Sequence, residues 1–146
     1  MPNWCFNRLR VSGPAEDVAR FEEQAVGFCP WGQPGAGELP NVLNFHSLGP
    51  IPTEVLTAPE PAGFDWEREH WGCTIGAHQA AVVDRWEGGL RYEFDTAWSP
   101  AVPFVEAVSR AWPTLVFVLD YEEEGLGYKG LARAAAGFLE DHCIDL

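Results

Sequence analysis

Basic residues are scarce in this chain of 146 residues: nine Lys and Arg stand against 22 Asp and Glu, a formal charge of −13 at pH 7. That balance opposes approach to a phosphate backbone or an anionic membrane, so neither direct nucleic-acid binding nor membrane association is expected. Long apolar runs are missing too. Even Thr114 to Leu119 is soon closed by Asp120 and the Glu122, Glu123, Glu124 cluster, whereas a spanning helix needs about 20 apolar residues. Cys5, Cys29, Cys73 and Cys143 are far apart with no CxxC pair, and the start of the chain carries no secretory apolar stretch. The expectation is reduced thiols in a cytoplasmic protein. A Walker loop and a GxSxG nucleophile elbow are also lacking, and no motif calls for a cofactor.

Apolar side chains are plentiful. Hydrophobic residues make up 47% of the chain and aromatics 13%, with seven Trp, enough for a folded core. A chain of this length can hide roughly 68–70% of its unfolded surface, so a single domain over 1–146 is expected, without staples.

Trp4 to Val11 alternates, with Cys5, Asn7, Leu9 and Val11 on one side and Trp4, Phe6, Arg8 and Arg10 on the other, the pattern of a strand with one buried face. Ser12, Gly13 and Pro14 end it. A helix follows over about 15–27, with Glu16 and Asp17 at its positive end and Val18, Phe21, Ala25 and Phe28 as the apolar stripe. Between Cys29 and Asp65 seven prolines interrupt any long element. The span 29–77 therefore reads as an elaborated loop insertion, with a short strand at Val42 to His46, a helical turn at Thr53 to Leu56, and its least fixed part from Gly32 to Gly37.

Gln79 to Trp86 and Leu90 to Thr96, joined at Glu87, Gly88 and Gly89, form a hairpin in which Leu90, Tyr92 and Phe94 face a core. A second helix begins after Ser99 and Pro100 and ends at Pro113, with Val105, Val108 and Trp112 along one side. Thr114 to Tyr121 is apolar on both faces, as an interior strand would be. The segment from Leu131 to Leu139 is Ala-rich, a helical composition, but Gly125 and Gly127 place a turn before it, so 128–136 is read as a returning edge strand. The fold class is α+β: a ferredoxin-like split βαβ sandwich, an antiparallel sheet with two helices on one face, a long insertion after the first helix, and an added C-terminal edge strand. The strands beginning near Gln79 and Tyr128 are placed at its edges.

Pro2, Asn3, Trp4, Cys5, Phe6 and Asn7, then Val11 and Gly13, resemble the opening of the YubB-type ferredoxin-like family of plasmids, phages and bacterial chromosomes. Phe45 with Pro50, Ile51 and Pro52, the pair Trp71 and Gly72, the run Thr96, Ala97, Trp98, Ser99, Pro100, and Leu115 to Gly125 resemble its later segments. The likeness spans nearly the whole chain, and departs from the family at Cys73, Thr74 and Ile75. It implies a fold and a mobile-element ancestry, with no established activity.

Four constellations could carry function. His70, Cys73 and His78, with Cys5, have some of the residue types zinc takes, though without a paired motif. Ser99, Cys73, His78 and Asp95 could meet near one sheet end, as a nucleophilic site requires. Trp66, Trp71 and Trp98 either cap the core or, with Asn3, Asn7 and Ser99, line an aromatic groove. Asn7 points at the core, so its amide must find partners there, most simply loop backbone. Glu122, Glu123 and Glu124, with Glu140, Asp141 and Asp145, form an acidic hairpin and tail that is either a solvated face or a surface for a basic or nucleic-acid-binding protein. The expected function is a non-enzymatic interaction domain, monomeric or an edge-strand dimer through 128–136, acting on a protein partner. The alternative is a small-ligand or metal-dependent enzyme built on the Trp71 to His78 loop.

Overall fold

The computed structural model describes residues 2–31 and 34–146; Gly32 and Gln33, in the stretch expected to be least fixed, lie outside it. Strand β1 (Trp4–Ser12) buries Cys5, Asn7, Leu9 and Val11 and leaves Phe6, Arg8 and Arg10 in solvent. Pro14 starts helix α1 (Ala15–Gln24), which ends three residues before the expected boundary, where Gly27 turns to pair with Asn41. Phe28 is consequently an exposed loop residue, not part of the helical stripe.

The insertion is more ordered than its prolines suggest. It holds α2 (Phe45–Leu48), α3 (Thr53–Leu56) and α4 (Ala62–His70). The helical turn at Thr53 is as expected, but the strand expected at Val42 to His46 is instead a loop entering α2, because Phe45 and Leu48, one helical step of three apart, both drop into the core. Helix α4 follows Pro61, at its N-cap, and escapes proline's penalty because none lies inside it.

Strands β2 (His78–Trp86) and β3 (Gly89–Ala97) form the hairpin, α5 (Val102–Ala111) follows, and β4 (Val116–Glu123), β5 (Tyr128–Ala135) and β6 (Phe138–Asp145) complete the chain. The sheet has six strands in the order β2-β3-β1-β4-β5-β6, and every neighbouring pair is antiparallel. Its first four strands keep the split βαβ order, with β1 between β3 and β4. Tyr92 and Phe94 of β3, Leu9 and Val11 of β1, and Phe117 and Leu119 of β4 meet Phe21 of α1 and Phe104, Val105 and Val108 of α5 in one core. The insertion contributes Leu43, Phe45, Leu48, Ile51 and Trp71 to that core. Arg8 and Arg10 lie on the opposite face, over the rings of Phe6 and Trp86, at 5.2 and 4.9 Å from the centroids.

The C-terminus departs from expectation in one respect. Residues 128–135 are a strand, but an interior one, so the proposed 128–136 dimer edge is already occupied by β6 within the same chain. Ala136 and Gly137, at φ 50° and 83°, make the tight turn between them. Gly130 serves a different need: a Cβ there would lie 2.2 Å from the Tyr121 hydroxyl, and its absence lets Tyr121 reach across β5 and donate to Asp141 of β6 at 2.7 Å. The glycine that weakens the strand by propensity is what lets β4 hold β6.

Phe94→Ala, which empties a site only 2% exposed, should cost about 3–5 kcal/mol of unfolding free energy in urea titrations. Phe6→Ala, on the open face, should change it by no more than about 1 kcal/mol.

Candidate functional site

The insertion folds back over one end of the sheet and leaves a cleft of about 280 Å³ whose lining includes Trp31, Asn41, Phe45, Glu67, Trp71 and Ile75. Two asparagines build its walls. Asn41 pairs its backbone with Gly27, donates its Nδ2 to Ala77 O at 2.9 Å and accepts Leu43 N–H at 2.9 Å. Asn44 donates to Phe28 O at 3.0 Å and to Ser47 Oγ at 2.8 Å. Phe45 is fixed from beneath by a parallel stack on Phe104 at 3.8 Å and an edge contact with Trp71 at 5.5 Å. The aromatic floor is thus part of the core and does not depend on the loop around it.

Glu67 is the unusual member. It lies on α4 and is 1% exposed, a burial that carboxylates rarely show without a cationic partner. Its Oε2 accepts the Ile75 N–H at 2.6 Å. Burial pushes its carboxyl above the usual carboxylate range; the Ile75 N–H and the Trp31 indole pull the other way, Glu60 adds like-charge repulsion, and Arg68, turned out toward Asp65, contributes least. Ile75 itself sits at φ 62°, a left-handed conformation that is a steric outlier for a β-branched residue. Its side chain remains 56% exposed at the cleft. Strain of this kind persists only where neighbours enforce it, and here the Glu67 carboxylate holds the strained N–H.

Glu123 provides the contrast. It is also 1% exposed, but each of its oxygens has a backbone donor: Gly125 N–H at 2.8 Å and Leu126 N–H at 2.7 Å. It closes the β4–β5 turn beside a shallower, more open hollow of about 460 Å³ whose lining includes Asn3, Trp4 and Phe6. Gly125, Gly127 and Gly130 of that hairpin fall at GxGxxG spacing, but a strand-to-strand turn lacks the helix N-terminus that a dinucleotide fingerprint requires.

The model of the ferredoxin-like domain in Api92-like proteins matches residues 65–145, more than half of the chain. The chain belongs to this family. The crystal structure of protein api92 from Yersinia pseudotuberculosis superposes with a TM-score of 0.75 at 10% identity, covering 100% of this chain and 98% of that one. At such identity the likeness shows the fold alone. No curated protein matches the chain by sequence.

In this Api92-like domain the residues singled out by sequence scatter. His70 is exposed and stacks on Trp66 at 4.3 Å, His78 stacks on Trp4 at 4.5 Å, and Cys73 is buried, so the three do not converge. Among the described residues no group of three or more His, Cys, Asp or Glu could hold a metal ion. Burial pushes the Cys5 thiol up to about 11 and the Cys73 thiol higher still, the reverse of what a thiolate nucleophile needs. The Ser99 hydroxyl is spent on Gly72 O, and Asp95 faces His78 across the β2–β3 ladder.

The expected aromatic groove also comes apart. Trp71 is core, with its Nε1 donating to Gly49 O at 3.2 Å, Trp66 is half-buried beside it, and Trp98 is 50% exposed at φ 69°. Asn3 backs the Trp98 backbone and approaches Gly125. Asn7 is fully buried, and its partners are strand groups, not loop backbone: its Nδ2 donates to Cys5 O at 3.0 Å and Thr96 Oγ1 at 2.9 Å. Of the acidic trio, Glu124 is exposed and Glu122 half-exposed, but Glu123 is a turn cap, so no continuous ridge runs through all three. Of the candidate binding and metal residues named one by one from sequence, the cleft includes only Trp71, although the Trp71 to His78 loop also brings Ile75, Gly76 and Ala77 to it. Glu67 and Trp31 went unnoticed because a single Glu in a helix and a Trp in a Pro-rich loop carry no spacing signal.

Glu67→Gln keeps an acceptor for Ile75 while removing the buried charge. A carboxyl raised in the folded state binds its proton more tightly than in the unfolded chain, so it withdraws stability as pH climbs from about 4, the unfolded carboxyl value, through the folded one. The stability of E67Q relative to the parent should therefore increase over that interval. Urea midpoints at successive pH values check this, and a pH-independent difference contradicts it.

Proposed function

We propose that this protein is a non-enzymatic interaction domain that receives a basic side chain of a partner protein in the cleft at Glu67. The observation that carries the reading is a buried carboxylate in an aromatic-lined pocket that makes no ion pair among the described residues. An entering ammonium or guanidinium would supply the missing counter-charge and lie among the rings of Trp31, Phe45 and Trp71, where cation–π attraction adds to the ion pair. Arg68, the nearest basic group in sequence, is engaged with Asp65 at 3.2 Å and leaves the site open. The formal charge of −13 favours the same partner by steering positively charged surfaces toward the protein.

The partner in this reading is a basic or nucleic-acid-binding protein. Glu122 and Glu124, with the acidic residues of β6, act as long-range attraction and the cleft as the point of capture. The likeness of the N-terminal and Thr96 to Pro100 segments to YubB-type domains is the ground for proposing a mobile-element origin, a cytoplasmic setting and a host protein as target. The Trp71 to His78 loop, which the enzymatic alternative would use, supplies Trp71, Ile75, Gly76 and Ala77 to the cleft wall. In the present reading those residues form a recognition surface.

Short peptides bearing Lys or Arg, with acetyl-lysine as the neutral control, test the proposal by NMR titration. Lys or Arg peptides should shift resonances of Trp31, Glu67 and Ile75, and E67Q should weaken that binding about tenfold or more, the scale of a lost charge-assisted contact. Equal affinity for acetyl-lysine, or shifts confined to surfaces away from α4, would refute it.

A further inference from the structure

The two edges of the sheet are unlike. Strand β2 is irregular: its register against β3 slips between His78 and Ala81 and again between Val82 and Asp84, and Gln79 sits at φ 52°. Such bulges twist an edge and spoil it as a template for another strand. Strand β6 pairs with β5 without a slip from Phe138 to Asp145, and seven of its eight residues are exposed. Leu146 N–H donates to Gly127 O at 2.6 Å, extending the ladder. By the alternation of an antiparallel pair, even-numbered residues of β6 direct their backbone groups at β5, and Leu139, Asp141, Cys143 and Asp145 direct theirs outward.

The side chains at that edge are equally specific. Phe138 is 78% and Ile144 61% exposed; both lie on the open face, with Leu131 of β5 also exposed nearby. Glu140 and His142 lie between them on the same face. We propose that β6 pairs antiparallel with β6 of a second copy about a two-fold axis at Asp141, joining two sheets into one of twelve strands. This register puts Phe138 opposite Ile144 and Glu140 opposite His142 of the other copy, twice each by symmetry, and Leu139 opposite Cys143 on the helix side. Moving the axis to His142 sets Glu140 against Ile144 and His142 against itself, and loses both matches. The two Asp141 carboxylates face one another at the axis, each tied to its own protomer by the Tyr121 hydroxyl. The second copy is favoured over an unrelated strand because the apolar and polar positions of β6 complement their own mirror order.

Sedimentation of the full chain, with Cys143→Pro as the blocking variant, tests the pairing. The outward N–H of Cys143 takes no part in the β5 ladder, so proline there should preserve the circular dichroism spectrum and thermal midpoint of the parent while blocking the edge. The parent should sediment as a dimer and C143P should self-associate at least about tenfold more weakly. A monomeric parent, or a dimer that C143P leaves intact, would overturn the proposal. The register has its own readout in a background where Cys29 and Cys143 are Ser. Phe138→Cys with Ile144→Cys in one chain should oxidise to a cross-linked dimer, because opposed non-hydrogen-bonded residues lie about 4.5 Å apart at Cα. Either single substitution should not cross-link. Cross-linking by a single substitution, or none by the pair, rejects the axis at Asp141.

Discussion

The architecture depends on β1 remaining in register between two antiparallel neighbours. Leu9 pairs with Tyr92 on one side and Leu119 on the other, and Val11 with Leu90 and Phe117. All six are buried, so they form an apolar patch two rows deep across three strands, and the helices pack on that patch. A slip of one residue would expose it and bring Arg8 and Arg10 beneath the helices. Asn7 adds a polar constraint in the same place. It joins Cys5 and Thr96 across the β1–β3 pair, a geometry that a shifted ladder would not reproduce.

The cleft is anchored to the same core. Phe45 crosses from the insertion to stack on Phe104 of α5 and meets Phe94 of β3 edge-on at 6.0 Å, so this ring, with Leu43, Leu48, Ile51 and Trp71, anchors a chain segment full of prolines. Asn41 and Asn44 then fix the loop walls through backbone groups, which proline-rich chain cannot satisfy by regular pairing. The site combines a floor set by sheet and helix with walls set by side-chain hydrogen bonds.

The elements that the sequence reveals best are those that bury one face. Leu90, Tyr92 and Phe94 alternate cleanly, and the split βαβ order with its first four strands in place follows from that pattern and two amphipathic helices. Strand β6 has no such signature because both its faces are largely wet, and Phe138, Glu140, His142 and Ile144 show no contrast with Leu139, Asp141, Cys143 and Asp145. Helix α4 was hidden behind Pro59 and Pro61, which mark its boundary and do not enter it. The site was least legible of all. Glu67 acquires its character from distant Ile75 and Trp31, and the acidic trio reads as uniform although one member is a structural cap.

The irregular course of β2 limits growth as well as pairing. A sheet with two regular edges can recruit strand after strand from other molecules and lengthen into a fibre. With slips at His78/Ala81 and Val82/Asp84 on one side, any association through backbone pairing has a single docking rail per molecule. Assembly by that route closes on itself at two copies and has no free end from which to polymerise.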